Sequence, residues 1–146
     1  MWEHLLAGGL VSLLNFAIHG LVTAFIVIAT RHTSRVTTES HAFVRLAALM
    51  TVTMITLMVA HVIEIGVWAG YLGLAKIAFK ELTPFEFAFE NYTALGYGDV
   101  VAMRGDRLIG PIIALNGLLL MGWSVAVIFE VMRMAELQFG RTKTRR

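Results

Sequence analysis

The stretch Glu81-Leu82-Thr83-Pro84-Phe85-Glu86-Phe87-Ala88-Phe89-Glu90-Asn91-Tyr92-Thr93-Ala94-Leu95-Gly96-Tyr97-Gly98-Asp99-Val100 decides how the rest of the chain is read. Its first half is a helix start. Thr83 can cap, Pro84 fits the first helical position, and Glu86 completes a Thr-x-x-Glu capping box. The helix predicted from Pro84 to about Thr93 is rich in Phe85, Phe87, Phe89 and Tyr92. At about 15 Å it covers only half of a bilayer core. Its second half places two glycines around one aromatic, which frees the backbone to take φ values that L-residues avoid.

Outward from this stretch the chain is membrane-like. It has 146 residues, 58% of them hydrophobic, and a mean hydropathy of +0.74, too little polar surface for a soluble domain of this size. Three runs are long enough to cross a bilayer. Leu5 to Thr30 is about 26 residues without a full charge, Leu46 to Ala75 about 30 interrupted by His61 and Glu64, and Leu108 to Phe129 about 22. The first run is too long for a removable signal peptide, lacks a basic start and is followed by no small-residue cleavage site, so it reads as a retained helix. The absence of cysteine excludes disulfides and thiolate chemistry.

Charge sets the orientation. Arg31, Arg35 and Arg45 flank the first loop, and Arg133, Arg141, Lys143, Arg145 and Arg146 follow the third run. Lys76, Lys80, Arg104 and Arg107 lie on the other side, among Glu81, Glu86, Asp99 and Asp106. The positive-inside rule puts the first loop and C-terminus in the cytoplasm, and the N-terminus and the 81–100 segment outside. With the basic residues explained by topology, the net charge of +2 gives no reason to expect nucleic acid.

Between two spans, a short apolar helix that enters from outside and stops midway is a re-entrant helix, tolerated only where protein or water surrounds it. The glycines after it let successive carbonyls point one way, as a ladder of oxygens able to replace the water shell of a bare cation. The half-helix aims its negative C-terminal end at mid-membrane, where a cation is otherwise poorly stabilised. These features together favour a cation pore.

Thr93-Ala94-Leu95-Gly96-Tyr97-Gly98-Asp99 resembles the Thr-Thr-Val-Gly-Tyr-Gly-Asp signature of potassium channels, in the matching place between an outer helix, a pore helix and an inner helix. The resemblance covers roughly Leu46 to Phe129. Small three-span bacterial members look similar in layout, including the run Leu115-Asn116-Gly117-Leu118-Leu119-Leu120-Met121-Gly122-Trp123. It implies an all-α membrane protein with three transmembrane helices, a re-entrant pore helix and a selectivity-filter loop, in a tetrameric potassium-channel-like pore. On this reading residues 1–43 are the N-terminal span and cytoplasmic loop, and 44–138 the pore domain. Within it the outer helix is about 44–75, the pore helix about 84–93, the filter 94–99 and the inner helix about 107–134, with 139–146 a basic tail.

The resemblance further implies that carbonyls of Ala94, Leu95, Gly96, Tyr97 and Gly98 hold potassium, supported by Thr93, Glu90 and Asp99. Ala94 stands where a threonine hydroxyl usually adds a ligand ring, and Leu95 where valine is usual. For Glu90 two readings stand: it shares a proton or a water with Asp99, or it bonds a neighbouring backbone. Gly117 falls at the hinge position of the inner helix, with close packing against the pore helix as the other reading. Pro111 is placed to kink that helix near its outer end. Leu118, Met121, Val125 and Phe129 recur on one helical stripe, which lines the pore if it faces the axis and otherwise packs against lipid or helices. Asn116 is within reach of the cavity or the back of the filter.

His61 and Glu64, at i and i+3 within a span, face protein rather than lipid. They read as structural, bonded to each other or to the pore helix, with pH sensing as the second reading. His19, with Asn15 and Thr23 at i−4 and i+4, makes a polar stripe that turns the first helix toward protein. No hydrolase, nucleophile or phosphate-loop motif is present, so no enzyme is expected, and no cofactor beyond potassium ions in the pore. The expected partners are three further copies in a homotetramer, the lipid bilayer (a bacterial inner membrane) and monovalent cations. The function expected is passive potassium conduction. The alternatives are a weakly selective or non-selective cation channel, a membrane haem protein with His19 and His61 as axial ligands, and an accessory subunit without a pore of its own.

Overall fold

A computed structural model describes residues 2–33, 42–77, 82–95, 102 and 107–143. Four helices follow in order: α1 Trp2–Thr33, α2 Ala42–Leu74, α3 Pro84–Tyr92 and α4 Ile109–Lys143. Among the described residues there is no strand. Three of the helices are long and apolar enough to cross a membrane, over Leu5–His32, Phe43–Leu74 and Ile109–Leu137, with mean hydropathies of 2.1, 2.2 and 2.2. The chain is an all-α membrane protein.

The buried face of α1 carries Gly8, Asn15, His19, Ile26 and Thr30, whereas Leu6, Leu10, Leu13, Leu21 and Phe25 stand exposed. Small and polar groups inside with leucine outside is the pattern of a helix whose solvent is hydrocarbon, where apolar side chains gain nothing by burial and close packing and hydrogen bonds hold the bundle. Arg31 and His32 occupy the last turn of α1, where cations suit the negative helix end.

The end of α2 is a Schellman motif. Ile77 N–H donates to the Leu72 carbonyl at 3.2 Å and Lys76 N–H to the Gly73 carbonyl at 3.2 Å. Lys76 takes the left-handed conformation, φ 52°, and buried Ile77 and Leu72 share one apolar cluster, the contact that accompanies such a cap.

α3 packs between α2 and α4, while α1 lies along α2 and α4. Around α3 one cluster gathers Ile65, Trp68, Leu72, Phe87, Tyr92, Ile113 and Leu120 among others. A second, toward the other membrane face, joins Ile26, Leu57, Val127, Val131 and Met134. Between the two lies a layer of polar side chains.

Two expectations are corrected. Pro111 does not kink α4; it is the third residue of the helix, in the first turn, where a missing N–H has no intrahelical partner to lose. The boundary drawn at residue 139 falls inside α4, which continues to Lys143. Nothing between Arg133 and Lys143 breaks a helix except Gly140, and basic residues suit a helix C-terminus. Just before that stretch, Arg133 pairs with Glu130 through two hydrogen bonds of 2.9 and 3.0 Å, an i,i+3 contact that supports the helix.

Candidate functional site

α3 is held at its start by its own sequence. Thr83 Oγ1 accepts from Glu86 N–H at 3.2 Å, and Glu86 Oε2 accepts from Thr83 N–H at 2.7 Å. Pro84 opens the helix. These bonds also hold the Glu86 carboxyl below the usual carboxylate range, the Thr83 backbone N–H first and its side chain second. The nine residues of α3 span about 13 Å, so it is a half-helix in a bundle of full spans.

At its other end Thr93 N–H and Thr93 Oγ1 both donate to the Phe89 carbonyl, at 3.1 and 2.9 Å, and the hydroxyl lies 3.2 Å from the Glu90 carbonyl. Ala94 then turns the chain out of the helix in the left-handed region, φ 53°, its N–H bonded to the Asn91 carbonyl at 2.9 Å. That conformation strains a residue with a Cβ. Leu95 is exposed. Gly96, Tyr97, Gly98 and Asp99, and with them the pairing of Glu90 with Asp99, lie outside the described residues. Glu90 itself is half-buried.

α4 meets α3 through glycine. A Cβ on Gly117 would stand 2.0 Å from the Tyr92 carbonyl oxygen, and one on Gly110 2.6 Å from Asn91 Oδ1. The two are seven residues apart and so share a face. Gly117 therefore has a close-packing reason to be glycine, the second of its two readings. Leu118, Val125 and Phe129 are more than half exposed on the single chain, whereas Met121 is half-buried against the α3 cluster. The proposed stripe thus does not present one uniform face.

Behind α3 the polar residues of three spans converge. His19 Nδ1 lies 2.9 Å from Glu64 Oε1, and His61 Nδ1 lies 3.1 Å from Glu64 Oε2. The Tyr92 hydroxyl donates to Glu64 Oε2 and sits 2.8 Å from His61 Nδ1. Ser124 Oγ bridges the far sides of both rings, 2.9 Å from His61 Nε2 and 3.3 Å from His19 Nε2. One layer over, Asn15 Nδ2 donates to the Glu64 carbonyl at 3.2 Å and to Asn116 Oδ1 at 3.1 Å, and Trp68 Nε1–H to Asn116 Oδ1 at 2.9 Å. Glu64, His19 and Asn15 are fully buried.

His61 and Glu64 are thus bonded to each other and to α3 through Tyr92, and the Asn15/His19 stripe of α1 faces protein. Asn116 turns to α1 and α2. Each of the four ring nitrogens of His19 and His61 faces Glu64 or Ser124. Sequence reasoning missed the hydroxyls of Tyr92 and Ser124. The available signal was spacing: Asn116 and Ser124 are two turns apart on one face of an otherwise apolar span.

Residues 67–134 match the family model of an ion channel. Over this span the chain is similar to an ion channel domain. No curated protein and no solved structure matches the chain. The domain takes in the end of α2, all of α3, the connection after it and α4 to Met134, so the half-helix lies at its centre. α1, His61 and Glu64 lie outside it, whereas Tyr92, Asn116 and Ser124 lie within it. The chain is an integral membrane protein, and its residues 67–134 are similar to a family that implies a lipid bilayer and the passage of ions.

Proposed function

We propose that this chain is one subunit of a potassium channel in which four copies surround a single ion path. The observation that carries the reading is α3. It is a capped half-helix between two membrane-length helices, and it delivers its C-terminal end, through the left-handed turn at Ala94, directly to Gly96-Tyr97-Gly98-Asp99. A helix C-terminus aimed at mid-membrane stabilises a cation there, and carbonyls from Ala94 to Gly98 replace its water. One such loop cannot enclose an ion, so closed symmetry supplies the others. The exposed side chains of α4 at Leu118, Val125 and Phe129 leave that helix free to face copies of itself around an apolar cavity. Thr93, Glu90 and Asp99 support the filter, and Gly117 serves as a hinge only if the inner helix swings away from Tyr92 on opening. The charge distribution places the N-terminus outside and the C-terminus in the cytoplasm of a bacterial inner membrane.

A second reading, a weakly selective cation channel, is favoured by Ala94, which has no hydroxyl to complete the innermost ligand ring. The test is ion flux into liposomes holding the purified protein. Potassium flux well above sodium, abolished by Gly96→Ala, is the expected result. Equal fluxes establish the second reading. No flux from a species with the mass of one or two chains in detergent, each 16.1 kDa, overturns both in favour of an accessory subunit.

A further inference from the structure

The layer behind α3 gathers two histidines around a buried glutamate. The groups that meet the Glu64 carboxylate are the two imidazoles and one phenol, and burying an uncompensated carboxylate at this depth is costly. The opposite edge of each ring presents Nε2. Both face Ser124 Oγ, which carries a single proton.

A metal ion on the carboxylate side compensates the buried carboxylate. We infer that His19, His61 and Glu64 form a binding site for a divalent transition-metal ion of the zinc class, with the Tyr92 hydroxyl beside the fourth position. One donor atom from each of the three residues lies within 4.8 Å of the other two. The imidazole–carboxylate contacts are 2.9 and 3.1 Å. Around a tetrahedral ion with bonds of about 2.0–2.1 Å, ligands stand about 3.3–3.4 Å apart, so each imidazole–carboxylate pair parts by a few tenths of an ångström, and the other donors, within 4.8 Å of one another, draw together. Two imidazole nitrogens and one or two oxygens suit zinc, cobalt or nickel and are too few and too nitrogen-rich for calcium or magnesium.

Metal ligation through Nδ1 moves each ring proton to Nε2. Both rings then donate to Ser124, whose oxygen has two lone pairs to receive them. Ser124 thereby becomes the outer partner that fixes both imidazoles, as metal-ligating histidines require. His61 gives access: it is 17% exposed and opens on a cavity of about 300 Å³ that Tyr92, Thr93 and Ser124 also line. An ion here clamps α1 to α2 and both to the pore helix.

The test uses the full chain, tag-free, in detergent and stripped with chelator. Cobalt(II) is titrated in and followed by its visible absorption, then displaced with zinc. The expected result is the intense visible bands of a four-coordinate site, saturating at one ion per chain and erased by zinc. His19→Ala and His61→Ala weaken binding at least tenfold, while His32→Ala leaves it unchanged. Zinc raises the melting temperature of the wild type, and magnesium does not. X-ray absorption at the zinc edge of the wild-type protein needs no variant. It should show nitrogen and oxygen neighbours at about 2.0–2.2 Å with the outer-shell signature of two imidazoles. Absence of the cobalt bands, equal affinity in His19→Ala, or a zinc shell without imidazole overturns the assignment.

Discussion

α4 meets its neighbours on two sides by opposite means. Toward α3 its closest approaches are made through glycine: Gly110 and Gly117 bring its backbone against Asn91 and the Tyr92 carbonyl. Toward α1 and α2 it presents Asn116 and Ser124, whose oxygens are 2.9 to 3.3 Å from partners on those helices. The glycine side is a contact of shape, intolerant of added volume. The polar side is a contact of paired groups, intolerant of a missing partner. Lipid supplies no hydrophobic drive to press helices together, so both kinds of contact hold the pore helix against the bundle.

The glycine side should break most severely. Gly117→Ala puts a methyl group 2.0 Å from a backbone oxygen, which no side-chain rotation relieves. We expect a loss at or above about 3 kcal/mol, the upper end for overpacking, seen as failure to form a stable oligomer in detergent and loss of flux. Gly122→Ala is the control: nothing lies within 4 Å of its Cβ, and stability should hold or rise slightly from helix propensity. If Gly117→Ala folds and conducts as the wild type does, both the close approach and the hinge lose their importance.

On the polar side, Glu64→Leu should cost more than the loss of any single neutral partner. It leaves His19, His61 and the Tyr92 hydroxyl without their shared acceptor, each unpaired group being worth about 1–3 kcal/mol before relaxation. Tyr92→Phe sharpens the comparison because it removes one hydroxyl and keeps the ring. A drop of about 1–2 kcal/mol in a denaturation series is expected. A double-mutant cycle with Glu64→Gln should show coupling between the two sites, and additive losses would mean that Tyr92 and Glu64 do not act together.

The two sides also differed in how far they could be read before the structure. The half-helix announces itself within four residues, since Thr83, Pro84 and Glu86 settle its start by local hydrogen bonding alone. The three spans follow from length and apolarity. His19 and Glu64 meet across 45 positions, and Ser124 bonds His61 across 63, distances over which periodicity says that a residue faces protein but not which one. The end of α2, read from the sequence at about residue 75, falls at Leu74. Its left-handed residue is Lys76 rather than glycine, so the usual punctuation is missing. Ala94 repeats the pattern at the end of α3, where Gly96 and Gly98 had seemed the positions needing positive φ.

The smallest effect belongs to the start of α3, which is exposed and held by neither kind of α4 contact. Thr83→Ala removes the N-cap oxygen and should cost about 1 kcal/mol. Glu86 adds a pH dependence whose sign follows from its bonds. Because the Thr83 backbone N–H, and then its side chain, hold the carboxyl below its ordinary pKa, the folded state favours the ionised form. The stabilisation is complete above the ordinary carboxylate pKa and is lost as pH falls through the depressed one. Stability measured from neutral pH down into the acid range should therefore fall more steeply in the wild type than in Glu86→Gln, whose amide still bonds Thr83 but does not titrate. Identical slopes would mean that the capping box contributes nothing measurable and that α3 is held in place by α2 and α4 alone.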